Sequence, residues 1–436
     1  MASDNDGKHG KDDGGAKAAD DDVALEIAGR EVVVTHPGKL LIPQAKVSKL
    51  DLVNYYVAVA DAALRGAGGR PCVLVRYPNG IDDEFFFQKR APAKRPDWLE
   101  IATIRFPSGR SADEVVPRHA ADLAWMANLA CLELHPHPVR ADDLEHPDEL
   151  RVDLDPVPGV AWPQIVQVAH VVHEVLTELG LTGWLKTSGS RGLHVLVRIQ
   201  RRWSFDQVRR AALALAREVE RRAPSLATSA WWKEERRGVF IDYNQNAKDR
   251  TVSSAYSVRP KPDARVSAPL AWGELDACNP ADFTLWTMPQ RLQTIGDPHA
   301  AIDERADSLD RLLDLSARQE AEGLGDAPWP PHYRKAEGEP KRAPPSGRRR
   351  DTPLTEVARA DREADATAAA DTWKTQHPKV AAHLEPSDVL IDRMRGSSSL
   401  WYRVRINWTR VPRRLWPEEL KKAQQAKAAT KTLKGA

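Results

Sequence analysis

Arg151-Val152-Asp153-Leu154-Asp155-Pro156 places two carboxylates two residues apart. On a β-strand that spacing turns Asp153 and Asp155 to one face while Val152 and Leu154 enter the core. Carboxylates this close repel each other unless a proton or a cation lies between them, and oxygen ligands of this kind suit magnesium or manganese. A strand end with two solvated acids satisfies the same pattern, so other segments must decide. Val239-Phe240-Ile241-Asp242-Tyr243 sets a third acid in an apolar strand, where an unpaired charge is costly. Between these segments lies Thr187-Ser188-Gly189-Ser190-Arg191-Gly192-Leu193-His194. Its small residues let backbone N–H groups cradle an anion, and the Ser hydroxyls and Arg191 add donors, although a plain hairpin turn would use the same residues. After Asp242 comes a polar and basic run: Asn244, Asn246, Lys248, Arg250, Tyr256 and Arg259. Together these segments describe two-metal nucleotidyl transfer. Asp153, Asp155 and Asp242 would hold two divalent ions that activate a 3′-hydroxyl and stabilise a departing pyrophosphate.

The elements that must position these residues follow from periodicity. Glu31-Val32-Val33-Val34-Thr35 reads as a strand leaving through a His36-Pro37-Gly38-Lys39 turn, and Ser48 caps a helix striped by Val53, Tyr56, Val57, Ala60 and Leu64. Residues 72–77 and 85–88 form two strands around Pro78-Asn79-Gly80. The second carries Phe85, Phe86 and Phe87 into Lys89-Arg90. Aromatic faces beside basic side chains suit a nucleic-acid surface, and a core strand with a basic end is the plainer account. A helix over 120–129 and a strand over 130–134 lead to His135-Pro136-His137-Pro138. Two His residues could ligate a transition metal, but no third ligand stands nearby, and shaping a loop is the commoner role. Ile165, Val168, Val172, Val175 and Leu179 stripe a helix ending at Gly180. Ser204 caps another, with Val208, Ala212, Leu215 and Val219 inward and Arg209, Arg210, Arg217, Arg221 and Arg222 on a solvated face.

At 436 residues the chain can hold two domains, and its 64 basic residues nearly cancel its 62 acidic ones, so local imbalance carries the information. Residues 1–22 read as a disordered acidic tail, 23–318 as the catalytic domain, 319–352 as a basic Pro-rich linker and 353–436 as an extension of unreadable function. Within the extension a helix is expected over 355–372, strands over 389–394 and 400–408, and a lysine-rich tail with Lys421, Lys422, Lys427, Lys431 and Lys434. No secretory pattern opens the sequence, and the apolar run 123–134 is too short to cross a bilayer, so the expected location is cytoplasmic. Cys72, Cys131 and Cys278 lack metal-ligand spacing and are expected to be buried, reduced thiols. Lys11-Asp12-Asp13-Gly14 spells the Lys-x-Asp-Gly of nucleotidyltransferases, but no flanking strand positions it, and it is a chance match.

The segments Asp153-Leu154-Asp155-Pro156, Thr187-Ser188-Gly189-Ser190-Arg191-Gly192-Leu193-His194, Ile241-Asp242-Tyr243-Asn244-Gln245-Asn246 and Ala255-Tyr256-Ser257-Val258-Arg259 resemble, in order and spacing, the polymerase/primase domain of bacterial ligase D. That domain is a branch of the archaeo-eukaryotic primase superfamily used in non-homologous end joining. The resemblance covers residues 30–315 and implies an α/β primase-like core, with a small antiparallel, RRM-like sheet carrying the acids and helices outside. It assigns Asp153, Asp155 and Asp242 to the metal ions, usually manganese, with magnesium as the alternative. Ser188, Arg191 and His194 would hold the phosphates of an incoming NTP or dNTP, Lys248, Arg250 and Arg259 would close the pocket, and His135 would line it. Template contacts fall on Phe86 and Phe87, and Lys39 and Lys49 match lysines near a pocket for a downstream 5′-phosphate. The implied partners are DNA with a gap or broken end, Ku and a separate ATP-dependent DNA ligase, with a preference for ribonucleotides. Three positions depart from the family: His36 replaces a usual Asn, His137 stands where Trp is common, and Lys261 replaces a second Arg without its bidentate fork. A metal-dependent nuclease or phosphoesterase could use the same acids, but it would not need a triphosphate-sized basic pocket. A non-catalytic DNA-end binding module would gain nothing from three repelling carboxylates.

Overall fold

Two hairpins and two helices open the described chain: β1 (Val23–Ile27), β2 (Arg30–Val34), β3 (Leu40–Ile42), β4 (Val47–Ser48), α1 (Lys49–Ala58) and α2 (Ala60–Ala67). The expected cap forms, with the Ser48 hydroxyl accepting from the Asp51 N–H and the Asp51 carboxylate accepting from the Ser48 N–H. Then come β5 (Cys72–Arg76), β6 (Phe86–Gln88), β7 (Glu100–Arg105), β8 (Ser111–Val116), α3 (Ala120–Asn128) and β9 (Cys131–Pro136). These five strands form one antiparallel sheet in the order β6-β5-β8-β7, with β9 also paired to β5. This is a computed structural model that describes residues 21–106, 108–329, 333, 354–395 and 400–417. The expected acidic tail up to residue 20, most of the basic linker and the lysine-rich tail lie outside the described residues.

A second sheet carries the acids. Its elements are β10 (Glu149–Pro156), α4 (Trp162–Glu178), β11 (Trp184–Thr187), β12 (Leu193–Arg198), α5 (Phe205–Arg222), β13 (Ala227–Thr228), β14 (Val239–Ile241) and β15 (Pro269–Leu270), followed by α6 (Met288–Ile295) and α7 (Asp310–Ala321). The strand order is β13-β14-β10-β12-β11-β15, and every pair is antiparallel except β13 with β14. The sheet is thus six-stranded, larger than the small sheet expected. Leu150, Val152 and Leu154 of β10 bury themselves among α4 and α5 residues such as Val168, Val172, Val208 and Leu215. Alternation therefore sends Asp153 and Asp155 to the other face.

Two expectations change. Arg209 does not lie on a solvated helix face: it is fully buried, with Nε donating to Asn244 at 2.9 Å and the guanidinium held between the rings of Tyr243 and Trp329. Its planar fork finds enough acceptors, including Asp326 and the Ala327 carbonyl, to replace water. In the C-terminal region, residues 354–360 form a strand and the helix runs over Glu363–Gln376 instead of 355–372. Thr355, Val357 and the pairing with a neighbouring strand outweigh the helical bias of the later alanines.

The chain divides into units Met1–Glu339 and Pro340–Ala436. The second consists of β16 (Leu354–Ala360), the Glu363–Gln376 helix, β17 (Val389–Arg395) and β18 (Leu400–Asn407), forming an antiparallel sheet in the order β16-β18-β17. Cys72 and Cys131 are buried, and burial pushes the Cys131 thiol up to about 12, which keeps it inert. Among the described residues no helix is long and apolar enough to cross a membrane.

Candidate active site

Register brings the acids together. Asp153 on β10 stands opposite His194 on β12, and the Asp242 N–H donates to the Asp153 carbonyl at 2.9 Å just past the end of β14. Asp242 is therefore not inside the strand but caps the short 3-10 turn Tyr243–Asn246, its carboxylate accepting from the Asn244 N–H. That turn delivers Gln245, whose Nε2 lies 3.2 Å from both Asp153 Oδ2 and Asp242 Oδ2. Asp155 stands further out and more exposed. Among the described residues no three His, Cys, Asp or Glu side chains form a metal-chelating group. Two carboxylates do converge on one amide donor, at a point where positive charge is favourable.

Charge states reflect that crowding. Burial and the nearby Asp153 push Asp242 up to about 6, and the same two causes raise Asp155. Burial opposes the charge of Asp153 as well, yet His194, Lys186 and Gln245 hold it below the usual carboxylate range. Oxygen donors held in mutual repulsion fit a hard divalent cation, which would relieve the cost.

A hydrogen-bonded chain that sequence reading missed supports Asp153 from behind. Lys186 Nζ is fully buried and lies 2.7 Å from Ser267 Oγ and 2.8 Å from His194 Nδ1. Ser267 Oγ donates to the Thr187 carbonyl, so it accepts from Lys186. Lys186 likewise donates to His194 Nδ1, which leaves the proton of a neutral imidazole on Nε2, 3.3 Å from Asp153 Oδ1. Burial and Lys186 lower the His194 pKa to about 4, so this neutral tautomer prevails at pH 7. Lys186→Met keeps the volume but removes the donor. Primer extension is expected to drop about 10- to 100-fold with little loss of melting temperature, and an unchanged rate would remove this role.

The 188–194 loop turns tightly beside the acids. Ser188 Oγ accepts from the Ser190 and Gly192 N–H groups, leaving its own proton free to donate outward. Gly192 is demanded by packing, since a Cβ there would stand 2.1 Å from the Leu154 carbonyl oxygen. Gly192→Ala is expected to displace the loop from β10, costing about 1–3 kcal/mol in urea unfolding and weakening nucleotide binding in a fluorescence titration. A cavity of about 410 Å³ opens by Ser190 and Arg191, with Arg265, Asn279 and Trp162 in its wall.

The remaining predicted residues sort by place. Arg259 packs under the loop, where a Cβ on Gly189 would meet its Cγ at 2.5 Å. Its guanidinium pairs with Glu133 at 2.9 Å, and Glu133 also holds His135 at 3.2 Å and accepts from Tyr77. Burial opposes charge on Glu133, but His135, Arg259 and Tyr77 outweigh it and hold the carboxyl at about 2. Arg250 lends positive charge to Asp242. The Nε atoms of Arg250 and Arg259 are buried without a hydrogen bond among the described residues, donors an anionic ligand could satisfy. Phe86 and Phe87 are 41% and 58% exposed, large apolar side chains left in water, and Phe87 meets His135 edge-on at 6.3 Å. Lys248 is instead engaged by Glu145 at 2.6 Å. Lys49 is buried and donates to the Thr35 carbonyl at 2.6 Å, while Lys39 donates to Asn79. His137 pairs with Glu114 at 2.9 Å, away from His135.

A family described as the LigD primase-polymerase domain matches residues 48–299, more than half of the chain. The chain belongs to the LigD primase-polymerase family. Members of this family are metal-dependent nucleotidyltransferases of the polymerase type. The chain is 32% identical over 293 residues to the multifunctional non-homologous end joining protein LigD of Mycolicibacterium smegmatis, covering 66% of this chain and 38% of that protein. To the LigD of Pseudomonas aeruginosa it is 34% identical over 282 residues, 64% of this chain and 33% of the relative. The chain thus spans between about a third and two fifths of the length of these LigD relatives. The solved polymerase domain of Mycobacterium tuberculosis ligase D in complex with DNA aligns with a TM-score of 0.59 at 33% identity, over 63% of this chain and 99% of that one.

Proposed function

We propose that this chain is a DNA-directed primase-polymerase that extends 3′ ends at gaps or double-strand breaks, by NTP or dNTP addition with ribonucleotides preferred. The observation that carries the reading is the convergence of Asp153 and Asp242 on one donor, with the 188–194 loop and Arg259 immediately beside them. Divalent cations, manganese or magnesium, would be held by Asp153, Asp155 and Asp242, where they lower the pKa of the attacking hydroxyl and neutralise charge developing on the phosphates. The chain's own residues do the positioning. Ser188, Arg191 and the buried Nε of Arg259 donate to the triphosphate, and His194, fixed through Lys186, orients Asp153 by directing its Nε2 proton to that carboxylate. Glu133 aims His135 and Arg259 at the nucleotide, and the exposed Phe86 and Phe87 offer stacking faces to a template base.

Lys39, with its ammonium near the surface beside Asn79, is the better candidate for a 5′-phosphate contact. Lys49 would act indirectly, by bracing Thr35. Lys248 would join the pocket only by leaving Glu145. The names of the relatives, non-homologous end joining proteins, support a role in that repair, with Ku and a separate ATP-dependent DNA ligase as the proposed partners.

The test is primer extension on a gapped, 5′-phosphorylated duplex with manganese and either NTPs or dNTPs. Incorporation by the wild type and none by Asp155→Ala is the expected result. Shortening of the primer would replace this reading with a nuclease, and DNA binding without either product would leave a DNA-end binding module.

A further inference from the structure

The C-terminal unit carries a charge unlike the rest of the molecule. Residues 340–436 hold 21 Lys and Arg against 11 Asp and Glu, a formal +10, while residues 1–339 hold 43 against 51, a formal −8. A protein nearly neutral as a whole is thus strongly polarised along its chain.

Ten of those basic residues and three of the acids lie outside the described residues, which hold 11 Lys and Arg against 8 Asp and Glu, and the fold sorts these. On β18, Val404 and Ile406 are fully buried, Val404 against Ala366 and Ala370 of the Glu363–Gln376 helix and Ile406 among Val380, Trp408, Val411 and Trp416. Alternation sends Trp401, Arg403 and Arg405 to the opposite face. Register puts Glu356 across from Arg405, Arg359 across from Arg403, and Asp392 on the other side of Arg403. Among the described side chains that face carries Arg359, Arg403, Arg405 and Trp401 against Glu356, which lies by both Arg359 and Arg403. The Arg359 side chain is 68% exposed, and its guanidinium lies 4.7 Å from the centre of the Trp401 ring, paired as well with Glu356. Acids of the unit gather instead on and around the helix, at Asp361, Glu363, Asp365 and Asp371.

A sheet face presenting a partly buried indole, with one guanidinium over its ring and two more on the same face, has two recognition chemistries side by side. The ring offers a stacking platform to an unpaired base, and the arginines pair with phosphates on either side of it. Duplex DNA has no free base to stack, so the combination selects a single strand. An acidic protein would match the charge but would make no use of the indole.

We propose that the Trp401, Arg359, Arg403 and Arg405 face of the C-terminal sheet binds single-stranded DNA, holding a strand near the enzyme independently of the nucleotide site. The choice of DNA as the strand rests on the proposed polymerase function, whereas binding at this face is measured apart from that activity.

The experiment uses the full chain and a fluorescein-labelled oligo-dT 30-mer, with anisotropy measured from 50 to 200 mM salt. Trp401→Ala is expected to weaken binding about 5- to 100-fold, with Trp401→Phe restoring most of it. Arg359→Gln/Arg405→Gln is expected to weaken binding and make the slope of log K against log salt shallower by about 1.4. Extension of a one-nucleotide gap should keep its kcat in both. Unchanged affinity and slope in the arginine variant, with its circular dichroism intact, would overturn the proposal. So would competition by polyglutamate as effective as that of unlabelled oligo-dT at equal charge, which would point to an acidic protein as the occupant.

Discussion

Asp242→Asn is expected to lower primer extension about a thousandfold while making the metal-free protein more stable. Both effects have one cause. Burial and Asp153 push the Asp242 carboxyl up to about 6, so at pH 7 the folded protein holds a charge it would rather not hold. Asn keeps the oxygen that accepts from the Asn244 N–H and removes the charge. In the presence of a chelator the gain should be about 1–3 kcal/mol at pH 7. The pH dependence fixes the sign. A carboxyl whose folded pKa lies above its unfolded value contributes stability below about pH 4, and that contribution is lost as pH rises through about 6. Melting temperatures of wild type and variant should therefore coincide near pH 4 and separate by pH 7, the variant being higher. Saturating manganese should reverse the order, because only the wild type binds it well through this site. A variant no more stable than wild type without metal would mean that the carboxylates do not repel, and the metal-site reading would lose its physical basis.

Arg70→Met should cost about 3–5 kcal/mol of stability. Arg70 is fully buried and donates to both oxygens of Asp148, at 2.5 and 2.9 Å, with Glu149 at 3.9 Å. Arg140 also reaches Asp148, and Arg151 and Arg198 reach Glu149. Arg151 further donates to the Pro136 carbonyl, so the cluster pins β10 to β9 and joins the two sheets. Burial pulls the Arg70 guanidinium down to about 10, which still leaves it charged at neutral pH, and the arginines outweigh burial to hold Asp148 at about 2. These carboxylates stabilise the fold above about pH 4, and that stability is lost as pH falls through about 2. The urea midpoint of Arg70→Met should thus fall far below that of wild type at pH 7, with the gap closing on acidification. Equal midpoints at pH 7 would show that the junction is held by packing alone.

The two clusters lie on one strand, and their separation explains how β10 can carry strained acids. Glu149 at its start is over-neutralised by arginines, whereas Asp155 near its end has only partial compensation from Arg191, Arg236 and Lys233. The firm end anchors the end proposed to do chemistry.

Much of the candidate site was legible in the linear sequence. The two-residue spacing of Asp153 and Asp155, the acid after Val239-Phe240-Ile241 and the small-residue loop each state a local requirement that neighbouring residues in the chain satisfy. Ser48 and Ser204 announced their helices for the same reason, since a cap is a contact over three residues. Glu133 could have been found by the argument used for Asp242, as a charge inside an apolar strand.

Lys186, Gln245 and Ser267 could not be found that way. Lys186 looks like an ordinary strand lysine until register with β12 and the approach of residue 267 bury it against His194. Gln245 acquires its place only because the turn after β14 folds back over β10. Arg209 was misjudged for the converse reason: helical periodicity and charge predict water, and only distant acceptors at Asn244 and Asp326 make burial possible. The sequence by itself determined which groups could do chemistry, because residue type and short spacing are local properties. Which of them meet, which stay neutral and which are spent holding the structure together was decided by tertiary contacts, since pairing and desolvation depend on residues tens of positions apart.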